Sequence, residues 1–113
     1  MILIFGGAYQ GKTDFARKQF GEDAPIVSGL EQFVWDCCAE EPEDRREAAD
    51  EMRRRKADWQ DKILIIRDVS QGIVPMDART RAYREMNGRL MLYLASEAEE
   101  VWRVFCGIGK RIK

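Results

Sequence analysis

An α/β domain on a mostly parallel sheet is the fold class this sequence predicts, and three observations predict it. Short, largely apolar strand-like runs at 2–5, 26–27, 63–66 and 101–106, the last interrupted by Arg103, alternate with segments whose apolar residues recur every three or four positions. The run Ile63-Leu64-Ile65-Ile66 is apolar without alternation, the pattern of a strand covered on both faces of a parallel sheet. A chain of 113 residues suits one core, so residues 1–113 are expected to form a single domain with right-handed crossovers.

In chain order, Ile2-Leu3-Ile4-Phe5 reads as a strand, without the basic leader of a signal peptide. Glycines follow it, and from Lys12 to Phe20 a helix is expected with Phe15, Ala16 and Phe20 on one face, stopped by Gly21. Ile26-Val27 is a brief second strand, and Leu30, Phe33, Val34 and Cys37 stand at helical spacing after Ser28-Gly29.

Residues 40–56 are almost all charged and predict a solvated helix, with Pro42 in its first turn and Asp50–Arg54 and Glu51–Arg55 as i,i+4 pairs. Ala48, Met52 and Trp59 give it a narrow apolar stripe for docking on the domain or on a neighbouring subunit. The apolar run closing on Asp68 is a central strand. Tyr83, Met86, Leu90 and Leu94 mark a long amphipathic helix within 77–99. Val101 to Cys106 is then a strand, and Gly107-Ile108-Gly109 turns the chain toward a last short strand near Arg111-Ile112.

Composition excludes several classes of function. Nineteen Lys and Arg balance 20 Asp and Glu, so no global field draws the chain to nucleic acid, and no run approaches membrane-spanning length. The basic run Arg53 to Lys56 is flanked by acids and reads as a solvated helix face. Cys37, Cys38 and Cys106 match neither a disulfide framework nor a zinc spacing, which fits a reducing cytoplasm and a packing role for the adjacent pair. Histidine is absent, which excludes His acid–base chemistry, His metal ligands and a nucleotidyl-histidine intermediate in these residues.

Between the first strand and first helix stands Gly6-Gly7-Ala8-Tyr9-Gln10-Gly11-Lys12-Thr13, the pattern G-x-x-x-x-G-K-[ST] in the context that gives it meaning. Glycines let backbone N–H groups curl around phosphate oxygens, Lys12 would reach the β and γ phosphates, and the Thr13 hydroxyl would coordinate Mg²⁺. The expected ligand is a purine nucleoside triphosphate, ATP or GTP, since base recognition lies outside this loop. A metal-holding acid is expected at the end of a neighbouring strand; Asp68 is the candidate, Glu31 competes for the role, and a turn-capping Asp is the plainer alternative. Arg79, Arg81, Arg84 and Arg89 could neutralise transferred phosphate, Arg84 being the catalytic candidate beside Lys12 and Asp68, although solvated helix surface is the common fate of such arginines.

The tract from Gly72-Ile73-Val74-Pro75 through Arg81, Tyr83-Arg84-Glu85, Gly88-Arg89-Leu90, Leu94-Ala95, Glu99 to Trp102 and Gly107-Ile108-Gly109 to Ile112-Lys113, together with the glycine loop, resembles the bifunctional adenosylcobinamide kinase and adenosylcobinamide-phosphate guanylyltransferase family of cobalamin synthesis. The resemblance implies a P-loop NTPase-like (RecA-like) three-layer sandwich, reduced in size, that phosphorylates a corrinoid side-chain hydroxyl and assembles as a ring-like homo-oligomer. It also implies a guanylyl-transfer histidine between the first helix and a later strand, where this chain runs from Phe20 to Ile26 with none, so the guanylyltransferase half is not expected. Ser28 stands where the family has an acid, Met91 and Tyr93 replace polar positions, and Arg67-Asp68-Val69 replaces an Asn-Glu-Val pattern while keeping an acid at 68. A reduced kinase and a non-catalytic nucleotide-binding or assembly protein both remain open at this point.

Overall fold

The computed structural model describes residues 1–69 and 77–113; the Gly72 to Pro75 part of the family tract lies outside them. Five strands, β1 (Ile2–Gly6), β2 (Ile26–Val27), β3 (Ile63–Arg67), β4 (Glu100–Phe105) and β5 (Ile108–Arg111), form one sheet in the order β2-β3-β1-β4-β5. The first four are parallel, with Leu3 opposite Leu64 on one side and Val101 on the other, and β5 returns antiparallel to β4. The expected parallel α/β sheet is therefore present, with β1 at its centre.

The pleat sends alternate side chains to opposite layers. Ile4, Ile63, Ile65 and Val104 face α1 (Lys12–Phe20), where Ala16 is fully buried and Phe15 and Phe20 pack against Trp102. Leu3, Leu64, Ile66 and Val101 face the other way, onto α2 (Leu30–Cys37), α3 (Ala48–Arg54) and α5 (Ala78–Glu97), which contribute Val34, Met52, Leu90 and Leu94. β3 is buried on both faces, as its unbroken apolar run requires.

The charged stretch departs from the single helix expected of it. Pro42–Asp44 is one 3-10 turn, Arg45 and Glu47 are extended, α3 runs from Ala48 to Arg54, and α4 (Lys56–Trp59) follows a break at Arg55. Two bonds explain the interruption: the Arg46 N–H donates to the Cys37 carbonyl and the Arg45 Nε to the Ala39 carbonyl, tying the chain to the end of α2. The break at Arg55 lets Trp59 fold back, and its indole N–H donates to the Met52 carbonyl at 2.8 Å. The apolar stripe thus docks within the chain: Ala48, Met52 and Trp59 are all buried. The ion pairs form at i,i+3, Arg53 with Asp50 and Arg54 with Glu51, rather than at the expected i,i+4 spacing.

Asp77 caps α5 by accepting from the Thr80 N–H at 3.0 Å. The last strand begins earlier than expected, because the turn is Cys106–Gly107, both in the left-handed region (φ 50° and 75°), as a two-residue hairpin between right-twisted strands demands.

Candidate phosphate site

The glycine loop leaves the C-terminal end of the central strand. At Gly6 an added Cβ would collide with the Val104 carbonyl oxygen, so a side chain there would push β1 away from β4. Gly11 takes φ 80° and ψ 31° as the N-cap of α1 and offers no side chain to the first N–H groups of the helix, which by helix geometry point outward unpaired within the helix. Two bonds hold the loop to the β4–β5 turn: the Cys106 N–H donates to Gln10 Oε1 at 2.7 Å and the Gly107 N–H to the Gln10 carbonyl at 2.8 Å. On the other side the Asp68 N–H donates to the Gly6 carbonyl at 2.8 Å. Tyr9, at φ 58°, is fully exposed at the tip.

Lys12 folds back over this cradle, its Nζ donating to the Gly7 carbonyl at 2.6 Å. Burial depresses its pKa below the ordinary lysine range; Glu31 opposes that shift and Arg67 adds to it. The lysine is thus a partly desolvated cation at the mouth of the loop, where its attraction for an anion is less screened than at a fully exposed site.

Two cavities flank the loop. One, about 390 Å³, lies over the ends of β1, β3 and β4 and is lined by Gly6, Gly7 and Ala8 together with Arg67, Asp68, Thr80, Tyr83, Arg84 and Arg103. The other, about 270 Å³, is lined by Tyr9, Gly11, Lys12 and Thr13 with Ser28, Gly29 and Glu31; Gln10 borders both. Burial, with the nearby Glu31 charge, raises the Tyr83 pKa, against the lowering pull of Arg67.

The sequence-predicted residues are divided by this arrangement. Asp68 and Arg84 come together in the larger cavity, while Lys12, Thr13 and Glu31 share the smaller. Arg79 lines neither cavity: its Nε donates to the Cys38 carbonyl at 2.8 Å and its guanidinium lies 3.8 Å from the centre of the Trp35 ring, clamping α2. Arg89 pairs with Glu47 at 3.0 Å, and Arg81 is exposed. Arg67, Thr80, Tyr83 and Arg103 also line the larger cavity, and none of them is placed there by sequence alone, Tyr83 marking only the long helix and the family tract. Arg67, a lone cation closing an otherwise apolar strand, was the visible signal among them. Among the described residues no three Cys, Asp or Glu side chains gather into a metal cluster, and no helix is long and apolar enough to cross a membrane.

Fold and site together define an α/β protein with a glycine-loop cradle and a cation at the C-terminal edge of a parallel sheet, the position at which open α/β sheets take ligands. The family model described as cobinamide kinase / cobinamide phosphate guanyltransferase (CobU) matches residues 26–112, and the chain belongs to that family. The glycine loop precedes the matched residues. The bifunctional adenosylcobalamin biosynthesis proteins CobU of Salmonella typhimurium strain LT2 and Escherichia coli strain K12 are each 43% identical over 51 residues. That segment is 45% of this chain and spans only 28% of each relative.

Proposed function

We propose that this protein is a reduced P-loop kinase of the cobalamin pathway, binding Mg-ATP or Mg-GTP on Gly6 to Thr13 and phosphorylating a corrinoid side-chain hydroxyl. The observation that carries the nucleotide reading is the placement of Lys12: partly desolvated, bonded to the Gly7 carbonyl, at the uncapped N-terminus of α1. The corrinoid acceptor is proposed from family membership.

In this reading the phosphates lie along the loop N–H groups and Lys12 contacts the β and γ oxygens. The acceptor hydroxyl enters the larger cavity, where Asp68 orients it and takes its proton as the new oxygen–phosphorus bond forms and the bond to the β–γ bridging oxygen breaks. Arg84 faces the charge that develops on the transferred group, with Arg67 and Arg103 lining the same space. Mg²⁺ would supply charge neutralisation for the phosphates, and the Thr13 hydroxyl, lining the smaller cavity, fits an oxygen-seeking cation. These residues hold no histidine, so the proposal assigns them no guanylyl transfer through one. We also propose a homo-oligomer, because Leu92, Phe105, Ile108 and Ile112 leave large apolar surface exposed.

Isothermal titration with ATP and GTP, with and without Mg²⁺, beside Lys12→Ala, tests the reading. A charge-assisted hydrogen bond contributes about 1.5–3 kcal/mol, so the variant should bind roughly 10- to 100-fold more weakly. Phosphorylation of adenosylcobinamide with whichever nucleotide binds then separates a kinase from a nucleotide-binding or assembly protein without chemistry. A folded sample that binds neither nucleotide would overturn the proposal.

A further inference from the structure

The flanking cavities separate the two acids that compete for the metal. Glu31, half-buried, lines the smaller cavity with Lys12, Thr13 and the exposed Asp14, whereas Asp68 lines the larger one with Arg67 and Arg84 and does not reach the smaller. Glu31 reaches its place through the backbone. β2 ends at Val27, Gly29 adopts φ 77° and ψ 18°, and the chain turns at once into α2, so the first turn of that helix, with Glu31 half-buried, stands beside the start of α1. An added Cβ at Gly29 would meet nothing within 4 Å, so its left-handed conformation, not crowding, accounts for the glycine.

We propose that Glu31, rather than Asp68, supplies the carboxylate that holds the divalent cation of the bound Mg-nucleotide, in partnership with the Thr13 hydroxyl. The inference rests on the nucleotide-binding reading above and assigns a role within it. Mg²⁺ keeps several waters and takes one or two protein oxygens beside the phosphate oxygens, so a hydroxyl and a single carboxylate suffice, and a cluster of three acids is unnecessary. The electrostatics agree with the geometry: Glu31 is the carboxylate whose charge acts on Lys12, which Arg67 also reaches, while among the described residues three arginines, Arg67, Arg84 and Arg103, line the cavity of Asp68 and Lys12 is the one cation lining the cavity of Glu31. Division of the two acids between the cavities leaves Asp68 for the acceptor.

The test is the ratio of nucleotide affinity with Mg²⁺ to that with EDTA, measured by isothermal titration for the wild type, Glu31→Gln and Asp68→Asn. Loss of a metal-holding group should lower the ratio at least tenfold in Glu31→Gln while leaving the EDTA affinity unchanged or improved. Asp68→Asn should keep the ratio and lose turnover. A second measurement uses only the wild type: Mn²⁺ with the bound nucleotide should broaden the amide resonances of Gly29 to Gln32 before those of Asp68 and Val69. The reverse order of broadening, or a ratio that falls in Asp68→Asn and persists in Glu31→Gln, overturns the assignment. Wild-type protein that binds nucleotide equally well with Mg²⁺ and EDTA also overturns it while sparing the nucleotide reading, and wild-type protein that binds no nucleotide removes both.

Discussion

Gly6 and Gly7 are adjacent in sequence yet meet different constraints. A methyl on Gly6 would be driven into the Val104 carbonyl, which the sheet ladder holds in place, whereas a methyl on Gly7 meets only the flexible Gln10 Cγ at 3.7 Å. Gly6→Ala should cost about 1–3 kcal/mol and Gly7→Ala under ~0.5 kcal/mol, as read by urea denaturation. Lys12 gives a second prediction. Its folded-state pKa lies below its unfolded value, so the ammonium and its phosphate contact are present at low pH and lost as pH rises through that depressed value. Nucleotide affinity should therefore fall at a lower pH than an ordinary lysine, at about 10.4, would impose, and Lys12→Arg should flatten the profile. Lys12 itself does not drive unfolding there: between the two pKa values the unfolded chain binds more protons at this site, so the contribution of Lys12 to stability rises with pH, and a circular-dichroism control separates lost binding from lost fold. The loop itself was legible because its residues are contiguous and the chemistry fixes their order. Arg67, Thr80, Tyr83 and Arg103 come from three elements, and only the folded sheet and α5 bring them to one cavity. Arg79 misled for the converse reason, since nothing in the sequence shows that Trp35 and the Cys38 carbonyl will occupy it.

Among the elements, those with strong periodicity formed where expected. β3 and α5 owe their boundaries to an unbroken apolar run and to Leu90 and Leu94 on one stripe, signals that tertiary contacts reinforce. Residues 40–59 have too few apolar positions to specify one axis, so bonds to the end of α2 and the burial of Trp59 decide the breaks. The turn at Cys106–Gly107 was displaced in the sequence reading because Gly109 offers an equally good signal. Gly109 instead serves packing: an added Cβ there would collide with the Phe15 ring. Gly88 lies inside α5, and an added Cβ there has nothing within 4 Å, so the usual penalty for a mid-helix glycine buys no packing. Gly88→Ala should stabilise the protein by about 0.5–1 kcal/mol in chemical denaturation. A destabilised variant would show that the helix approaches something else at that position.

At the scale of the whole molecule, the α5 side of the sheet leaves apolar surface that the described residues do not cover. Leu92 is 75% exposed and Ile112 57% exposed, and both border an apolar cavity of about 370 Å³ between α5 and β4, lined also by Phe5, Met91, Ala95 and Val101. Two residues away on the same helix, Leu90 is fully buried against the sheet. The pair separates folding from assembly. Leu90→Ala removes core contacts and should cost about 2–5 kcal/mol, a large part of the ~5–15 kcal/mol typical of a domain. Leu92→Glu removes none of them, and within one chain an exposed substitution should change stability by under ~0.5 kcal/mol. If copies of the chain meet through this surface, Leu92→Glu should shift sedimentation from oligomer to monomer by burying an unpaired carboxylate in the contact, at unchanged secondary structure. Wild-type protein that sediments as a monomer at the same concentration would remove the homo-oligomer from the proposal and leave the phosphate loop to act within a single chain.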